Sequence, residues 1–387
     1  MPTSASQRSV GKPFSADRSA SSFRFGVRPL PQIAVDIIKA QIAGVLSAWG
    51  MAPDDVATTV DLMVEADIRG IDSHGIGMLP QYHERRNAGK IIVPANVRVV
   101  EDLPAMTLID SGHGLGHVPA KMAMQSAIAK AKDMGVAIAC VRESNHFGAA
   151  GVYSTMALEQ GLIGICMTGT TQRSIVPPRA REPMFSTNPI AVAAPAKRNP
   201  AFSLDMATST VAVGKLNIAR RAGKPLPVGW ALKEDGSPET NAEAAFYSKP
   251  KRMTPLGGTQ DGGSHKGYGL AIMVDILSSV LSGSNFGGHD LKTGKPGDFI
   301  NVGSFFLAID PVFFRGEPGA FEADMDALID QMHGITPLDP AQPVLVPGEP
   351  EEAARAERLR DGVPMTETLF NEVKRVAEES GAPFLFG

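Results

Sequence analysis

Residues 136–167 read VAIACVRESNHFGAAGVYSTMALEQGLIGICM, with an apolar run at each end and a polar loop near the middle. The runs at 136–141 and 162–167 are too short for helices and are predicted to be buried strands. Between them, the loop at 143–148 leads into a predicted helix that Gly161 ends. The stretch therefore predicts a strand–helix–strand unit with a polar loop at the carboxyl end of its first strand.

The same alternation extends outward from this unit. A strand is predicted at 106–109, a glycine-rich loop at 112–116 and an alanine-rich helix at 118–134. Further strands are expected at 190–194, 202–204 and 305–309, and further helices at 208–222 and 268–281. The order of elements predicts a three-layered α/β core.

The two ends of the chain are predicted to be helical. Apolar residues recur at helical spacing over 34–49, and a second helix opens at Pro53 and breaks at Gly70, which leaves residues 72–75 in a loop. Near the carboxyl end, Thr366 is placed to cap a last helix.

Composition excludes several classes of protein. The 387 residues are 43% apolar and carry 37 basic against 41 acidic side chains, which gives no electrostatic footprint for nucleic acid or a membrane surface. No apolar stretch approaches the ~20 residues that cross a bilayer. Cys140 and Cys166 lie in apolar runs, so we expect buried thiols, a reducing compartment and a cytoplasmic location. A small-molecule partner fits best.

Two segments stand apart from the core. Residues 1–28 are rich in Ser and Arg and lack an apolar signal region, so they are predicted to be a disordered tail, with a transit peptide as the alternative. Residues 223–255 carry five prolines and are predicted to be an irregular cap segment.

The sequence GHGLGH at 112–117 superficially matches the glycine fingerprint that binds a dinucleotide. Its spacing is GxGxG rather than GxGxxG, and the next strand ends in Val141-Arg142 without the acidic residue that would hold a ribose. A tight turn between strand and helix is the competing interpretation.

His146 is the main candidate for chemistry. It lies at the carboxyl end of a predicted strand and just before a helix, where ligand crevices of α/β sheets form. The helix dipole should lower its pKa and keep the imidazole neutral near pH 7, so that it can take a hydroxyl proton. A structural or capping histidine is the alternative.

Other polar groups leave several classes of chemistry to weigh. Ser73, His74 and Asp205 suggest a hydrolase triad, but the G-x-S-x-G elbow is missing, and the histidines lack the spacing of a metal site. Lys266 follows a glycine-rich loop, where it could pair with a pyrophosphate or be a solvated side chain.

Taken together, these segments resemble the malate/L-lactate dehydrogenase family of the non-Rossmann type, which includes ureidoglycolate, sulfolactate and hydroxycarboxylate dehydrogenases and piperideine-2-carboxylate reductases. The resemblance spans roughly residues 35–365. It is carried by the motifs RGIDSHG (69–75), SNHFG (144–148), TNP (187–189), DMATS (205–209) with Gly214-Lys215, GWA (229–231), HKGYGL (265–270), AIDP (308–311) and PGE (347–349).

The resemblance implies an NAD(P)-dependent oxidoreductase that moves a hydride between its cofactor, NAD or NADP, and a small 2-hydroxy or 2-oxo acid. It implies His146 as acid/base in a catalytic set with Ser73, His74 and Asp205, and Tyr82 and Thr171 around the substrate. The implied cofactor contacts are Asp205, Met206, Ala207, Lys266, Gly267, Gly348 and Glu349.

The resemblance also implies a sulfolactate-dehydrogenase-like fold, in which helices flank a mixed sheet. A helical dimerisation domain (29–100 with 335–387) would accompany a catalytic domain (101–222 with 256–334), and the molecule would be a homodimer. The glycines at 112–116 then become structural.

Two departures from the family pattern leave the substrate open. Met78 stands where many members carry an Arg that grips the substrate carboxylate, and residues 177–182 read PPRARE in place of an apolar residue and paired glycines. Cyclic imine reduction and a cofactor-binding protein without catalysis are the alternative functions. Arg173 or Arg179 could serve a 2'-phosphate, so NAD and NADP both remain open.

Overall fold

The computed structural model describes residues 31–169, 172–287 and 300–386. The tail predicted at 1–28 lies outside these residues. The helices are α1 Val35–Ala48, α2 Pro53–Ile68, α3 Leu79–Asn87, α4 His117–Met134, α5 Gly151–Ser154, α6 Val213–Arg221, α7 Ala242–Tyr247, α8 Ser264–Asp275, α9 Val312–Arg315, α10 Ala320–His333, α11 Glu349–Asp361 and α12 Glu367–Ser380. The strands are β1 Gln32–Ile33, β2 Arg98–Leu103, β3 Met106–Asp110, β4 Val136–Ser144, β5 Ile163–Thr168, β6 Ile190–Ala194, β7 Phe202–Met206, β8 Ala231–Leu232, β9 Pro238–Glu239, β10 Val302–Ile309 and β11 Val363–Pro364.

A seven-stranded sheet in the order β2-β3-β4-β10-β5-β6-β7 forms the centre of the molecule. Strands β3 and β4 are parallel and joined by α4, whereas the other neighbouring pairs are antiparallel. Strand β10 lies between β4 and β5, so the two strands of the opening stretch are not neighbours. The predicted mixed sheet flanked by helices is confirmed.

Alternation along β4 explains the layers on the two faces of the sheet. Ala137 and Ala139 face the cluster around α4, while Cys140 faces Val274 of α8 on the other side. Small side chains on the inner stripe of α4 let that helix lie close to the sheet; they are Ala120, Ala123, Ala127 and Ala131.

The two ends of the chain pack together into a second core. Its members come from α1, α2, α3 and α12, and include Ile38, Ile42 and Val373. As predicted, the Thr366 side chain caps α12 by accepting a hydrogen bond from the Leu369 amide at 3.2 Å. No helix among the described residues is both long enough and apolar enough to span a membrane.

Some local predictions were wrong or incomplete. The helix expected up to residue 160 is only α5, followed by a 3-10 turn at Thr155–Gln160, and the Ser154 and Thr155 hydroxyls bond the Gly151 carbonyl there. The segment 223–255 is less irregular than expected, because it contains β8, β9 and α7. Helix α3 and the exposed edge strand β2 were not predicted, since neither shows clear apolar periodicity.

The glycines at 112–116 serve packing, as the resemblance implied. A Cβ on Gly116 would lie 2.5 Å from the Asn145 carbonyl oxygen and 2.7 Å from Cβ of Phe147, and one on Gly114 would lie 2.4 Å from Cβ of Ala95. The loop therefore lies directly against the backbone on both sides of His146.

We expect Gly116→Ala to destabilise the protein by about 1–3 kcal/mol, because the new methyl group must push the 145–147 backbone aside. Turnover should fall with stability, since His146 lies in that backbone. Gly44→Ala in the interior of α1 is the control: its nearest contact would be an ordinary 4.0 Å, and it should stabilise by about 0.5–1 kcal/mol. Denaturant unfolding measures both; equal stability of the two variants would contradict the packing role.

Candidate active site

The loop that carries His146 is fixed by its neighbour Asn145. The buried Asn145 amide Nδ2 donates to the backbone carbonyls of Lys90, His113 and Gly114 at 3.2, 2.9 and 3.1 Å. Three bonds from one side chain tie the end of β4 to the glycine-rich loop and to the chain after α3. Sequence reasoning did not assign this role; a buried Asn beside a candidate histidine was the only available signal.

His146 itself is half-buried and held through one ring nitrogen. Its Nδ1 lies 2.8 Å from the hydroxyl of Tyr82, which is fully buried, and 3.2 Å from the Gly148 amide nitrogen, whose N–H donates. Both of these bonds use Nδ1, which leaves Nε2 as the nitrogen that can reach a ligand. The structure thus brings Tyr82 and His146 together as predicted.

The pKa of His146 lies well below its usual value, first because of burial and then because of the nearby His74, His117 and Arg85. The lowered pKa favours a neutral imidazole, as predicted, but the predicted cause, the helix dipole, was wrong. Helix α5 has only four residues, so its dipole is weak, and loss of water together with basic neighbours accounts for the shift.

Ser73 and His74 also reach this site. The His74 ring stacks on that of His146 with centroids 5.4 Å apart, and the Ser73 hydroxyl lies 2.7 Å from Nδ1 of His74. Burial lowers the pKa of His74, so this ring is also more easily kept neutral. Stacking of two neutral imidazoles avoids the repulsion that a second charge would add.

A buried carboxyl group shapes the loop that carries His74. Asp67 at the end of α2 accepts a hydrogen bond from the Ile76 amide at 2.8 Å, and a Cβ on Gly75 would lie 1.9 Å from its Oδ1. Burial raises the pKa of Asp67 to about 8, so the group is protonated at neutral pH. Only glycine fits at position 75, and sequence reasoning did not find this contact.

His117 is a further histidine of the site that sequence reasoning left inside the glycine motif. It is fully buried at the start of α4, with its ring edge-on to Tyr82 at a centroid distance of 5.8 Å. Neither ring nitrogen hydrogen-bonds to any residue in the described part of the chain. Burial lowers the pKa of His117 to about 3.

We predict that His117 makes the fold acid-labile. Its folded pKa lies below the ordinary value of 6.5, so stability is intact above pH 6.5 and is lost as the pH falls toward 3. At pH 5 the loss is about 2 kcal/mol. Denaturant unfolding at pH 7 and pH 5 measures how much the free energy of unfolding falls between the two pH values. In His117→Gln this fall should be about 2 kcal/mol smaller than in the wild type, whereas His265→Gln, at an exposed position, should show the same fall as the wild type. The same fall in His117→Gln as in the wild type would contradict the assignment.

Asp205 connects a cleft to the loop that carries His146, residues 143–151, which we name the catalytic loop. Its Oδ2 accepts a hydrogen bond from the Gly151 amide at 2.7 Å, five residues after His146. Its other side opens on a cleft of about 290 Å³ lined by Ser203, Leu204, Asp205, Leu345, Val346, Pro347, Gly348, Pro350 and Glu351. Desolvation, and to a lesser extent Glu351, raises the pKa of Asp205 to about 6.

The predicted cofactor residues 348 and 349 border this cleft in different ways. Gly348 has φ +105°, and a Cβ there would lie 3.0 Å from the Ser203 backbone nitrogen. The Glu349 carboxylate is already engaged, with Oε1 2.7 Å from Nε2 of His333 and Oε2 accepting from the Val346 amide at 2.8 Å. Any role of Glu349 toward a ligand therefore falls to its backbone.

The other predicted cofactor residues are not among the residues that line this cleft. Met206 and Ala207 are half-buried directly after Asp205, and Lys266 is exposed in the first turn of α8. Gly267 packs on Leu256, to whose backbone nitrogen a Cβ would come within 2.4 Å, and the Leu256 amide bonds the Thr208 carbonyl. Thr171 lies outside the described residues. Within those residues no three His, Cys, Asp or Glu side chains are grouped to hold a metal.

Comparison with known proteins gives this geometry a context. Residues 33–374 match the family model described as malate/L-lactate dehydrogenase. The chain belongs to the malate/L-lactate dehydrogenase family. It is 37% identical to a malate dehydrogenase of Pyrococcus horikoshii, over 90% of this chain and 96% of that one, and 37% identical to an L-sulfolactate dehydrogenase of Methanocaldococcus jannaschii, over 89% and 95%. The resemblance predicted from the motifs is confirmed.

Solved structures agree with the fold. The crystal structure of a malate dehydrogenase from Entamoeba histolytica superposes with a TM-score of 0.86 at 31% identity, over 92% of this chain and all of that one. A Δ1-piperideine-2-carboxylate reductase from Pseudomonas syringae superposes at 0.77 with 27% identity, over 90% and 100%. A relative 30% identical over 86% of this chain, from Chromohalobacter salexigens, is named (2R)-3-sulfolactate dehydrogenase (NADP(+)). The family membership makes this chain an oxidoreductase.

Proposed function

We propose that the protein is an NAD(P)-dependent 2-hydroxyacid dehydrogenase, in which His146 exchanges the proton with the substrate oxygen. The observation that carries this proposal is the half-buried imidazole held at Nδ1, with Nε2 left for a ligand. The names of the relatives, malate and sulfolactate dehydrogenases, support a small 2-hydroxy or 2-oxo acid as the substrate class.

A base at Nε2 requires the tautomer with the ring proton on Nδ1. In that tautomer Nδ1–H donates to the Tyr82 hydroxyl oxygen at 2.8 Å, and the Gly148 N–H, which lies near both groups, donates to that oxygen in place of Nδ1. In this tautomer the Nε2 lone pair is free to take the hydroxyl proton during oxidation, and it returns that proton to the carbonyl oxygen during reduction. His74, stacked on His146, and Ser73 position the ring and border the substrate.

The cleft beside Asp205 fits a nicotinamide cofactor. It is open, it reaches the catalytic loop through the Gly151–Asp205 bond, and Gly348 lets its two walls approach closely. We assign the cofactor contacts to Asp205, Met206 and Ala207 on one wall, Gly348 and Glu349 on the other, and Lys266 and Gly267 at the start of α8. When bound, the nicotinamide gives or takes the hydride.

Two alternatives keep the same site. The superposition with a piperideine-2-carboxylate reductase favours cyclic imine reduction as the second candidate, in which His146 would donate its proton to nitrogen. A protein that binds the cofactor without catalysis is the third. Assays of 2-oxo acids and of a cyclic imine acid, each with NADH and NADPH, separate the three and also decide the preferred cofactor.

We expect His146→Ala to lose turnover by at least about 100-fold, since positioned acid–base groups contribute 10²–10⁴. Cofactor binding, followed by fluorescence, should survive. His83→Gln is the control, because the His83 ring contacts α12 instead of His146, with Nε2 2.9 Å from the Glu379 carboxylate. Near-wild-type turnover of His146→Ala would sink the assignment of the acid/base.

We expect cofactor affinity to depend on the charge of Asp205. Its pKa of about 6 means that the carboxylate is ionised above pH 6 and protonated below, so NADH binding should weaken as the pH falls through 6. Asp205→Asn keeps an acceptor for Gly151 but should bind about tenfold more weakly, without that pH dependence. Glu351→Gln should move the dependence to lower pH. NADH titrations between pH 5 and 8 measure the affinity. Identical pH profiles for the wild type and Asp205→Asn would refute a contact between Asp205 and the cofactor.

The domain division (29–100 with 335–387, 101–222 with 256–334, and the cap 223–255), the homodimer and the cytoplasmic location also belong to this proposal. The second apolar core formed by the two chain ends supports a separate helical unit. Cys140 and Cys166 are both buried and unpaired, which fits a reducing compartment.

A further inference from the structure

Helix α3 presents two different faces. Tyr82 and Arg85 lie three residues apart and are neighbours on the helix surface; the Tyr82 hydroxyl lies 2.8 Å from His146, and the charge of Arg85 acts on both residues. His83 and Arg86 make their contacts on the side of the helix toward Trp49 and α12. His83 bonds Glu379 of α12 there, and the Arg86 guanidinium lies 5.6 Å from the centroid of the Trp49 ring.

The two neighbouring arginines differ in how they are satisfied. Arg86 has the Trp49 ring and also donates to Oδ1 of Asn87 at 3.4 Å. Arg85 is half-buried, and its guanidinium makes no hydrogen bond or ion pair with any residue that the structure describes. Burial lowers the pKa of Arg85, and no carboxylate among the described residues counteracts this.

A half-buried guanidinium without an anionic partner is energetically unfavourable, because it loses hydration and gains no compensating bonds. Its position beside His146 also repels the protonated imidazole. Both costs are relieved when an anion binds between the two groups, where a planar guanidinium can hold a carboxylate through two parallel hydrogen bonds.

The other candidates near the loop cannot serve this purpose. Met78 is only 8% exposed and packs in the second core, where a thioether offers no charge. Arg358 is already bonded to the carboxylate of Asp72 and to the Asp67 carbonyl. Arg85 is thus a cation without an anionic partner among the described residues, one helical turn from the tyrosine that bonds His146.

We propose that Arg85 binds the carboxylate of the substrate and so orients the substrate oxygen toward Nε2 of His146. This inference rests on the proposed function and deepens it, since it names the residue that recognises the acid group. It assigns to α3 both the residue that positions the base and the residue that selects an anionic substrate.

Oxamate, an unreactive 2-oxo acid analogue, tests the contact without turnover. With NADH-loaded protein, calorimetry should show oxamate binding weakened about 10- to 100-fold in Arg85→Gln, the range for one charged hydrogen-bonding partner. The oxamate affinity of Arg85→Lys should lie between those of the wild type and Arg85→Gln, because lysine keeps the positive charge but cannot form two parallel hydrogen bonds to a carboxylate. Arg86→Gln is the matched control and should bind like the wild type.

Kinetics add a second readout. Arg85→Gln should raise KM for a 2-oxo acid far more than it lowers kcat. It should also shift the acid limb of the kcat/KM profile for the hydroxy acid to higher pH, because the charge that lowers the pKa of His146 is gone. The inference is overturned if Arg85→Gln binds oxamate as tightly as the unmutated protein does, or if Arg86→Gln loses as much oxamate affinity as Arg85→Gln. In either case, turnover of a 2-oxo acid by the unmutated protein would still support the proposed function. A wild-type protein that neither binds oxamate nor reduces any 2-oxo acid would overturn the function itself.

Discussion

The hydrogen bond between the Tyr82 hydroxyl and Nδ1 of His146 joins two cores that are packed separately. Tyr82 belongs to the helical core built from both chain ends, whereas His146 follows a strand of the central sheet. The site therefore exists only where the two cores meet. Any movement of α3 against the sheet would release the imidazole and change the direction of Nε2, so the fit of these cores sets the orientation of the His146 ring.

The electrostatics of this junction follow from the same arrangement. His74, His117 and Arg85 surround His146, and burial removes the water that would otherwise stabilise their charges. The result is a neutral imidazole in a pocket with an excess of positive potential. Such a pocket favours an anionic ligand over a neutral one, and it loses stability in acid, when the histidines must take up protons.

Sequence reasoning succeeded where the signal was local. The helices α1, α2, α4 and α12 and the strands β3 to β7 show apolar periodicity or capping residues that can be read within one window. The insertion of β10 between β4 and β5 pairs residues more than 130 positions apart, and no local pattern encodes that. Within the site, motif resemblance pointed to His146, but the roles of Asp67, Asn145 and His117 depend on contacts between distant segments. Arg85 and Arg86 are adjacent and chemically identical, so only their contacts in the folded protein, such as that of Arg86 with the Trp49 ring, separate them.

Groups from several different elements hold the catalytic loop in place along its whole length. Asn145 bonds three carbonyls before the histidine, Gly148 lies against His117 just after it, and Gly151 donates to Asp205 at the cleft. Because Asp205 borders the cleft to which we assign the cofactor, one short loop fixes both the His146 ring and the edge of that cleft. In the proposed reaction a hydride and a proton go to neighbouring atoms of the substrate, and this shared support would keep the two transfers geometrically compatible.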